Sequence, residues 1–310
     1  QKLGINALGV NNEARALTNP PQGAILPYVR RYLPLILSHY SYPKAEQYHD
    51  VFAPEFVTHC EQVAQEQAAP YKNDPMLIGY IMSDAPRLTD RSVRGRPTGA
   101  TTFPRVLRNL GPEAPGKQSY VALMRERHRD IATFNKVYET SFDDWQSLAT
   151  AKHWRLATDL SNKVELDDNA AFLSQCVGKY HQVARAALLK ADPNHLFFGD
   201  KLGARGEEFD AVIKAAAPHV DVIQFGHYGR LSEQVAVLDR WTDKLRKPFI
   251  SADGSFSVRT EMLPFPMGQD SSIARDYPEC ALWTNELAAG LFARPEVVGW
   301  NICGVIDVWK

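Results

Sequence analysis

Short apolar runs in this chain end repeatedly in residues that carry charge, move protons or stack on a ring. MLIGYIM (76–82) runs into Ser83, Asp84, Ala85 and Pro86. HLFFG (195–199) is followed by Asp200, Lys201 and Arg205, and VDVIQFG (220–226) by His227 and Tyr228. KPFISA (247–252) leads into Asp253, Gly254 and Ser255, and the run from Val297 reaches Trp300 and Asn301. Two earlier runs lead to Asn11, Asn12 and Glu13, and to His39 and Tyr40. Asp84 and Asp253 offer two carboxylates for acid–base or nucleophilic work. Lys201 and Arg205 offer cations for an anionic group. His227 beside Tyr228 offers proton transfer near neutral pH. Asn12, His39, Trp300 and Asn301 complete the set as candidate substrate contacts. Each residue also has a plainer use. Asp84 can cap the turn before Pro86, Asp253–Gly254 can simply form a turn, and His227 with Tyr228 can be a satisfied buried pair. Lys201 and Arg205 can be solvated charges, and Trp300 can be core. Their recurrence at successive run ends favours a site.

The elements that must position them alternate in kind. Strands are expected at 5–10, within 25–37, and at 76–82, 195–200, 220–226, 247–253 and 297–303, each short and apolar on both faces, as in parallel sheets. Helices are expected at 54–67, 120–138, 168–190, 207–217, 231–245 and 279–293. This rhythm means βα units, and with 310 residues and no GxGxxG turn it predicts an α/β fold, a (β/α)8 TIM barrel. Seven strands are visible, so the first strand is expected upstream of residue 1. QKLGINALGV shows no leader pattern and reads as the inside of a structural unit. One catalytic unit is expected over 1–310, interrupted by a long insertion at 84–118 that holds seven basic residues against three acidic ones. That insertion reads either as a solvated flap or as a lid attracting an anionic substrate.

Net charge is −1, with 45% hydrophobic and 23% charged residues, which advertises neither nucleic acid nor an anionic membrane. No apolar run is long enough to span a bilayer. A soluble protein, periplasmic or cytoplasmic in a polysaccharide-degrading bacterium, is expected; oligomeric state is not readable. Cys60, Cys176, Cys280 and Cys303 form no CxxC pair and read as buried thiols. No metal motif or nucleotide-binding glycine loop is present, so cofactor-free chemistry is expected.

In order along the chain, KLGINALG, DPMLIGYIMSD, DPNHLFFGD, VDVIQFGHY, KPFISADGSF and VVGWNICGVID resemble the clan of retaining glycoside hydrolases built on (β/α)8 barrels, agarase-like members especially. The resemblance covers most of the chain, and DPNHLFFGD and KPFISADGSF are its more telling pieces. It implies an Asn–Glu pair ending one strand as acid/base and a Glu ending a later strand as nucleophile. Those positions fall on Asp84–Ala85 and on Asp253. The acid/base Glu is missing, and the nucleophile position keeps a carboxylate on a shorter arm.

The missing Glu, the basic insertion and the His–Tyr pair together favour β-elimination on a uronate-containing oligosaccharide. The enzyme would be a dehydratase or lyase, similar to the glycoside-hydrolase-related ulvan-oligosaccharide dehydratases. His227 and Tyr228 would act as base and acid, Asp84 and Asp253 would orient them, and Lys201 and Arg205 would neutralise the uronate. Two alternatives stand: retaining hydrolysis using Asp84 and Asp253, and a sugar-binding barrel without catalysis.

Overall fold

The computed structural model of the chain describes residues 6–9, 26–35, 37, 48–86, 88–90, 101–203, 208–261 and 272–302. Asn12, His39 and Arg205 lie outside the described residues, as do Arg87, Arg91, Arg94 and Arg96. The strands are β1 (Tyr28–Arg31), β2 (Leu77–Asp84), β3 (Leu196–Gly203), β4 (Ile223–Gly226), β5 (Phe249–Ala252), β6 (Ser257–Val258), β7 (Ile273–Ala274) and β8 (Val297–Trp300). β1, β2, β3, β4, β5 and β8 form one parallel sheet in that order, and β6 pairs with β7 apart from it. Leu8 extends the β1 edge through a parallel bridge to Tyr28. At the other edge, a Cβ on Gly9 would lie 3.9 Å from the Asn301 side chain, so the two ends of the sheet approach each other. The result is a curled parallel sheet, a partial barrel, and each of the seven expected strands contributes to it.

Both faces of β2 to β5 are largely buried, which is why those runs read as apolar rather than alternating. The inner face collects Val29, Ile81, Phe198 and Val222 with Ile78 and Ile250, a cluster without a helical member. The outer face, including Tyr80, Phe197, Phe225 and Phe249, packs in the larger core with helix residues.

The helices are α1 (Pro54–Gln67), α2 (Phe103–Leu107), α3 (Pro115–Arg127), α4 (Ile131–Tyr138), α5 (Trp145–Thr150), α6 (Lys163–Ala191), α7 (Glu208–Ala216), α8 (Leu231–Leu245) and α9 (Tyr277–Phe292). Local chemistry sets their starts. Asn162 accepts the Glu165 N–H at 3.1 Å ahead of α6, and Asp276 accepts the Glu279 N–H at 2.9 Å ahead of α9. The single helix expected over 120–138 is two. Asp130 accepts the Thr133 N–H at 2.7 Å and begins α4 afresh.

DPNH, a telling part of the sequence resemblance, serves the fold. Asp192 accepts hydrogen bonds from the Tyr80 hydroxyl at 2.6 Å and the Asn194 N–H at 2.9 Å, and its carboxylate meets His195 Nδ1 at 2.7 Å. This clasp sits where β3 begins, at the opposite end from the polar strand ends.

The insertion after β2 also departs from the expected loop. α2 and α3 fall within or across 84–118, and α2 to α5 precede the crossover helix α6. Its described cations serve the protein itself. Arg108 is fully buried, pairs with Glu165 at 3.2 Å and donates to Asn169 at 3.0 Å. Lys117 is buried, and its ammonium donates to the carbonyls of Arg108 at 2.6 Å and Ala151 at 2.9 Å. Burial, then the neighbouring Arg108 charge, pushes the Lys117 ammonium down to about 8. Arg105 donates to the Leu156 carbonyl at 2.9 Å. A charge buried with its partner cannot attract a distant anion. Arg108→Met leaves buried acceptors without their donor and is expected to cost about 3 kcal/mol of stability, read from urea unfolding. An unchanged unfolding midpoint would return Arg108 to the role of lid charge.

Candidate active site

The ends of β2, β3 and β5 bring Asp84, Lys201 and Asp253 together. The Lys201 ammonium forms ion pairs with Asp84 Oδ1 and Asp253 Oδ2, and these are its partners among the described residues. The Lys201 side chain is 7% exposed, against 14% for Asp84 and 20% for Asp253. The carboxylates thus face solvent over a nearly buried cation. Burial alone would lower the lysine pKa. The negative charges of Asp253 and Asp84 outweigh it and hold the ammonium above its ordinary value.

Strict strand alternation would not build this cluster. Phe198 faces the barrel interior, so a regular β3 would turn Asp200 inward and Lys201 outward. At Gly199 φ is +65°, and the register with β2 slips on either side of the Ile81–Gly199 pair. Beyond this bulge the faces exchange: Lys201 meets the two inner carboxylates, and Asp200 turns toward His181 on α6. β2 carries a matching irregularity between Ile81 and Asp84, which brings Asp84 to the same side as Ile81. A side chain at 199 would strain a left-handed backbone and place its Cβ 2.7 Å from Val220 Cγ1, so glycine is required there.

The two bulged ends are tied to each other. Asp200 Oδ1 accepts the Ser83 N–H at 2.9 Å, and the Lys201 carbonyl accepts the Ala85 N–H at 2.9 Å. Ala85 (φ 46°) and Asp253 (φ 64°) are both left-handed, a conformation non-glycine residues adopt at a cost of about 1–2 kcal/mol. Strain of this kind beside two strand-end carboxylates is typical of a site held by its surroundings. On β4, Gly226 leaves the space beneath the cluster open: its Cβ would stand 3.5 Å from Asp253 Oδ2 and 3.7 Å from Lys201 Cε.

The remaining described candidates lie at the neighbouring strand ends. The His227 N–H donates to the Ala252 carbonyl at 3.3 Å, and the His227 carbonyl accepts from Gln234 Nε2 at 3.1 Å. Its imidazole folds back toward its own turn, with Nε2 2.7 Å from where a Cβ on Gly229 would be. Tyr228 is half-buried in the same turn. Trp300 donates through Nε1 to the Gly254 carbonyl at 2.8 Å, and the Asn301 N–H donates to the Ser251 carbonyl at 2.8 Å. Both therefore brace the β5 end that carries Asp253. Gln234, fully buried on α8, also accepts the Ser251 hydroxyl at 2.6 Å and so links the β4 and β5 ends. The sequence reading missed Gln234, because a lone glutamine in a helix carries no motif.

No protein-family model matches the chain. Beta-agarase B of Vibrio sp. (strain JT0107) is 26% identical over 214 residues, covering 67% of this chain and 21% of that protein. Among solved structures, PfGH50B superposes with a TM-score of 0.66 at 24% identity, over 89% of this chain and 39% of that one. The agarase AgWH50C gives a TM-score of 0.69 at 20% identity, over 96% of this chain and 41% of that one. The chain thus spans about a fifth of the curated relative, 21%, and about two fifths of these structures, 39% and 41%. The chain is similar in sequence to that beta-agarase and shares the barrel fold of these solved structures. Among the described residues, no helix is long and apolar enough to cross a membrane.

Beneath the cluster, Asp200 and His181 make a buried pair. Burial raises the Asp200 carboxyl from 3.8 to about 7 and lowers the His181 imidazolium from 6.5 to about 4. His181 Nδ1 lies 3.0 Å from the Val177 carbonyl, which places its proton there, and Nε2 faces Asp200 Oδ2 at 3.6 Å. Between about 4 and about 7 the pair is a neutral acid beside a neutral imidazole. The Asp200 contribution to stability is full below 3.8 and is lost as pH rises through about 7. The His181 contribution is full above 6.5 and is lost as pH falls toward about 4. The two slopes oppose each other in the parent. Relative to the parent, Asp200→Asn is expected to lose stability as pH falls from 6.5 to about 4, and His181→Leu as pH rises from about 4 to about 7. Urea midpoints across this range check both, and parallel profiles for parent and variants would contradict the burial-shifted titrations.

Proposed function

We propose that this chain is the catalytic barrel of an agarase-like glycoside hydrolase acting on a neutral, galactan-type saccharide, with Asp253 as nucleophile and Asp84 as its partner carboxylate. The observation that carries the reading is the Lys201 ammonium shared between the two carboxylates. Two negative charges and one positive leave the cluster with one net negative charge. Glycosidic cleavage passes through an oxocarbenium-like state that gains positive charge at the sugar carbon. Fixed negative charge stabilises that state. Elimination from a uronate builds negative charge beside a carboxylate that is already anionic, and the same cluster opposes it. Lys201, expected as the clamp for a uronate, already has its charge balanced by protein groups.

The shared ion pair also bounds the spacing. Two ion-pair contacts of about 2.8 Å on one nitrogen hold the paired oxygens within about 5.6 Å of each other. Retaining enzymes separate their carboxyl groups by about 5–5.5 Å and inverting enzymes by about 6.5–9.5 Å. The bound favours retention, with a covalent glycosyl ester on Asp253. In that pair Asp84 is the candidate acid/base, whose proton passes to the leaving oxygen and leaves the net negative charge behind, and His227 and Tyr228, in the turn whose backbone contacts β5, are candidate contacts to the sugar.

One observation favours a second reading. Position 85, where the resemblance places the acid/base Glu, holds Ala, so a barrel that binds saccharide without cleaving it fits the same residues. Agar-derived neutral oligosaccharides and ulvan-type uronate oligosaccharides separate these readings. New reducing ends from the neutral substrate, lost by about a thousandfold in Asp253→Asn, are the expected result. Absorbance of an unsaturated uronate would establish elimination instead. Saccharide binding with neither product would establish the non-catalytic barrel.

A further inference from the structure

The loops that carry His227 and Asp253 continue into a second group of side chains at the rim of the barrel. A Cβ on Gly254 would lie 3.3 Å from Leu287 Cδ2, which places that turn of α9 beside the β5 end. Trp283 is one turn earlier on the same helix face, about 6 Å along the axis. α9 must run back from the mouth to begin the parallel strand β8, so Trp283 stands on the mouth side of Gly254. Phe256, three residues after Asp253, packs edge-on against the indole with ring centroids 5.6 Å apart. Arg230, just after the His227 turn, lays its guanidinium carbon 3.8 Å from the indole centroid. Its Nη2 donates to Glu286 Oε2 at 3.2 Å, and the Arg230 and Glu286 side chains are 38% and 45% exposed.

We propose that Arg230, Glu286 and Trp283 form a saccharide subsite on the rim, taking a neutral pyranose of the substrate at least one unit away from the bond held over Asp84, Lys201 and Asp253. The inference rests on the glycosidase reading and adds a site to it. An arginine free to swing in water loses rotamer entropy when it binds. One held flat on an indole and fastened to a carboxylate has already lost much of it. The pair presents fixed donors beside a fixed acceptor, which suits the vicinal hydroxyls of a sugar. Its charges balance, so it does not select for an anion. An exposed Arg–Glu pair contributes little to stability, so its variants keep the fold.

The test uses the Asp253→Asn chain, which holds substrate without turnover, and calorimetric titration with agar-derived neutral oligosaccharides from disaccharide to hexasaccharide. Affinity is expected to rise with length in this parent. Trp283→Ala and, independently, Arg230→Met are expected to weaken hexasaccharide binding about tenfold while leaving the disaccharide unchanged. Arg230→Met keeps the indole in place, so the test stands even where Trp283→Ala unfolds the rim. Unchanged hexasaccharide affinity in Arg230→Met and in a folded Trp283→Ala overturns the subsite. An equal loss for every length overturns it too, since that marks general damage. The glycosidase reading is judged separately: hydrolysis that persists in Asp253→Asn refutes the assignment of Asp253 and leaves a length-dependent subsite standing.

Discussion

Two aspartates at a barrel mouth repel each other, and the arrangement at the ends of β2, β3 and β5 depends on the one ammonium that holds them. Lys201 reaches that position because β3 bulges at Gly199, and Asp84 meets it because β2 is irregular over the same stretch. Removing the bulge would exchange Lys201 with Asp200. That would put a carboxylate among carboxylates and bury a lysine against the helices. The backbone carries a cost for this placement at Ala85 and Asp253, both left-handed. Hydrogen bonds from Ser83 to Asp200, from Ala85 to the Lys201 carbonyl and from Trp300 to the Gly254 carbonyl offset it.

The same ammonium joins the fold to the chemistry. Among the described residues it leaves the Asp84–Lys201–Asp253 cluster net negative and keeps the carboxylates close, both of which suit cleavage through a cationic sugar. The resemblance to a clan with paired Glu residues would put Asp253, one carbon shorter, at the nucleophile position and Ala85 at the acid position. The neutral Asp200–His181 pair behind the bulge completes the contrast, with charge concentrated on the inner face and withdrawn from the outer one.

The strands were legible because parallel strands buried on both faces leave short, unbroken apolar runs. The turns after them exposed Asp84, Lys201, His227 and Asp253 as a set. What could not be read was which way a residue points. A bulge inserts one position, and a glycine whose φ is positive looks like any other glycine in the run LFFGDK. Two cations of the basic insertion were unreadable for a related reason, while Arg87, Arg91, Arg94 and Arg96 lie outside the described residues. Composition counts Arg108 and Lys117 as surface charge, and their partners, Glu165 and the Ala151 carbonyl, lie 57 and 34 residues further along the chain. The Arg230–Trp283 stack was hidden in the same way, since its members come from two different βα units.

Proton NMR of a neutral agar-derived oligosaccharide during digestion tests the central claim most directly, because it reports bond type and stereochemistry together. The shared-ammonium site predicts that the first new anomeric signal has the configuration of the bond cleaved, with the other anomer growing later by mutarotation. A first signal of inverted configuration would contradict the close pairing of Asp84 and Asp253. An olefinic proton from a uronate substrate, with no new anomeric signal from the neutral one, would contradict the charge argument itself.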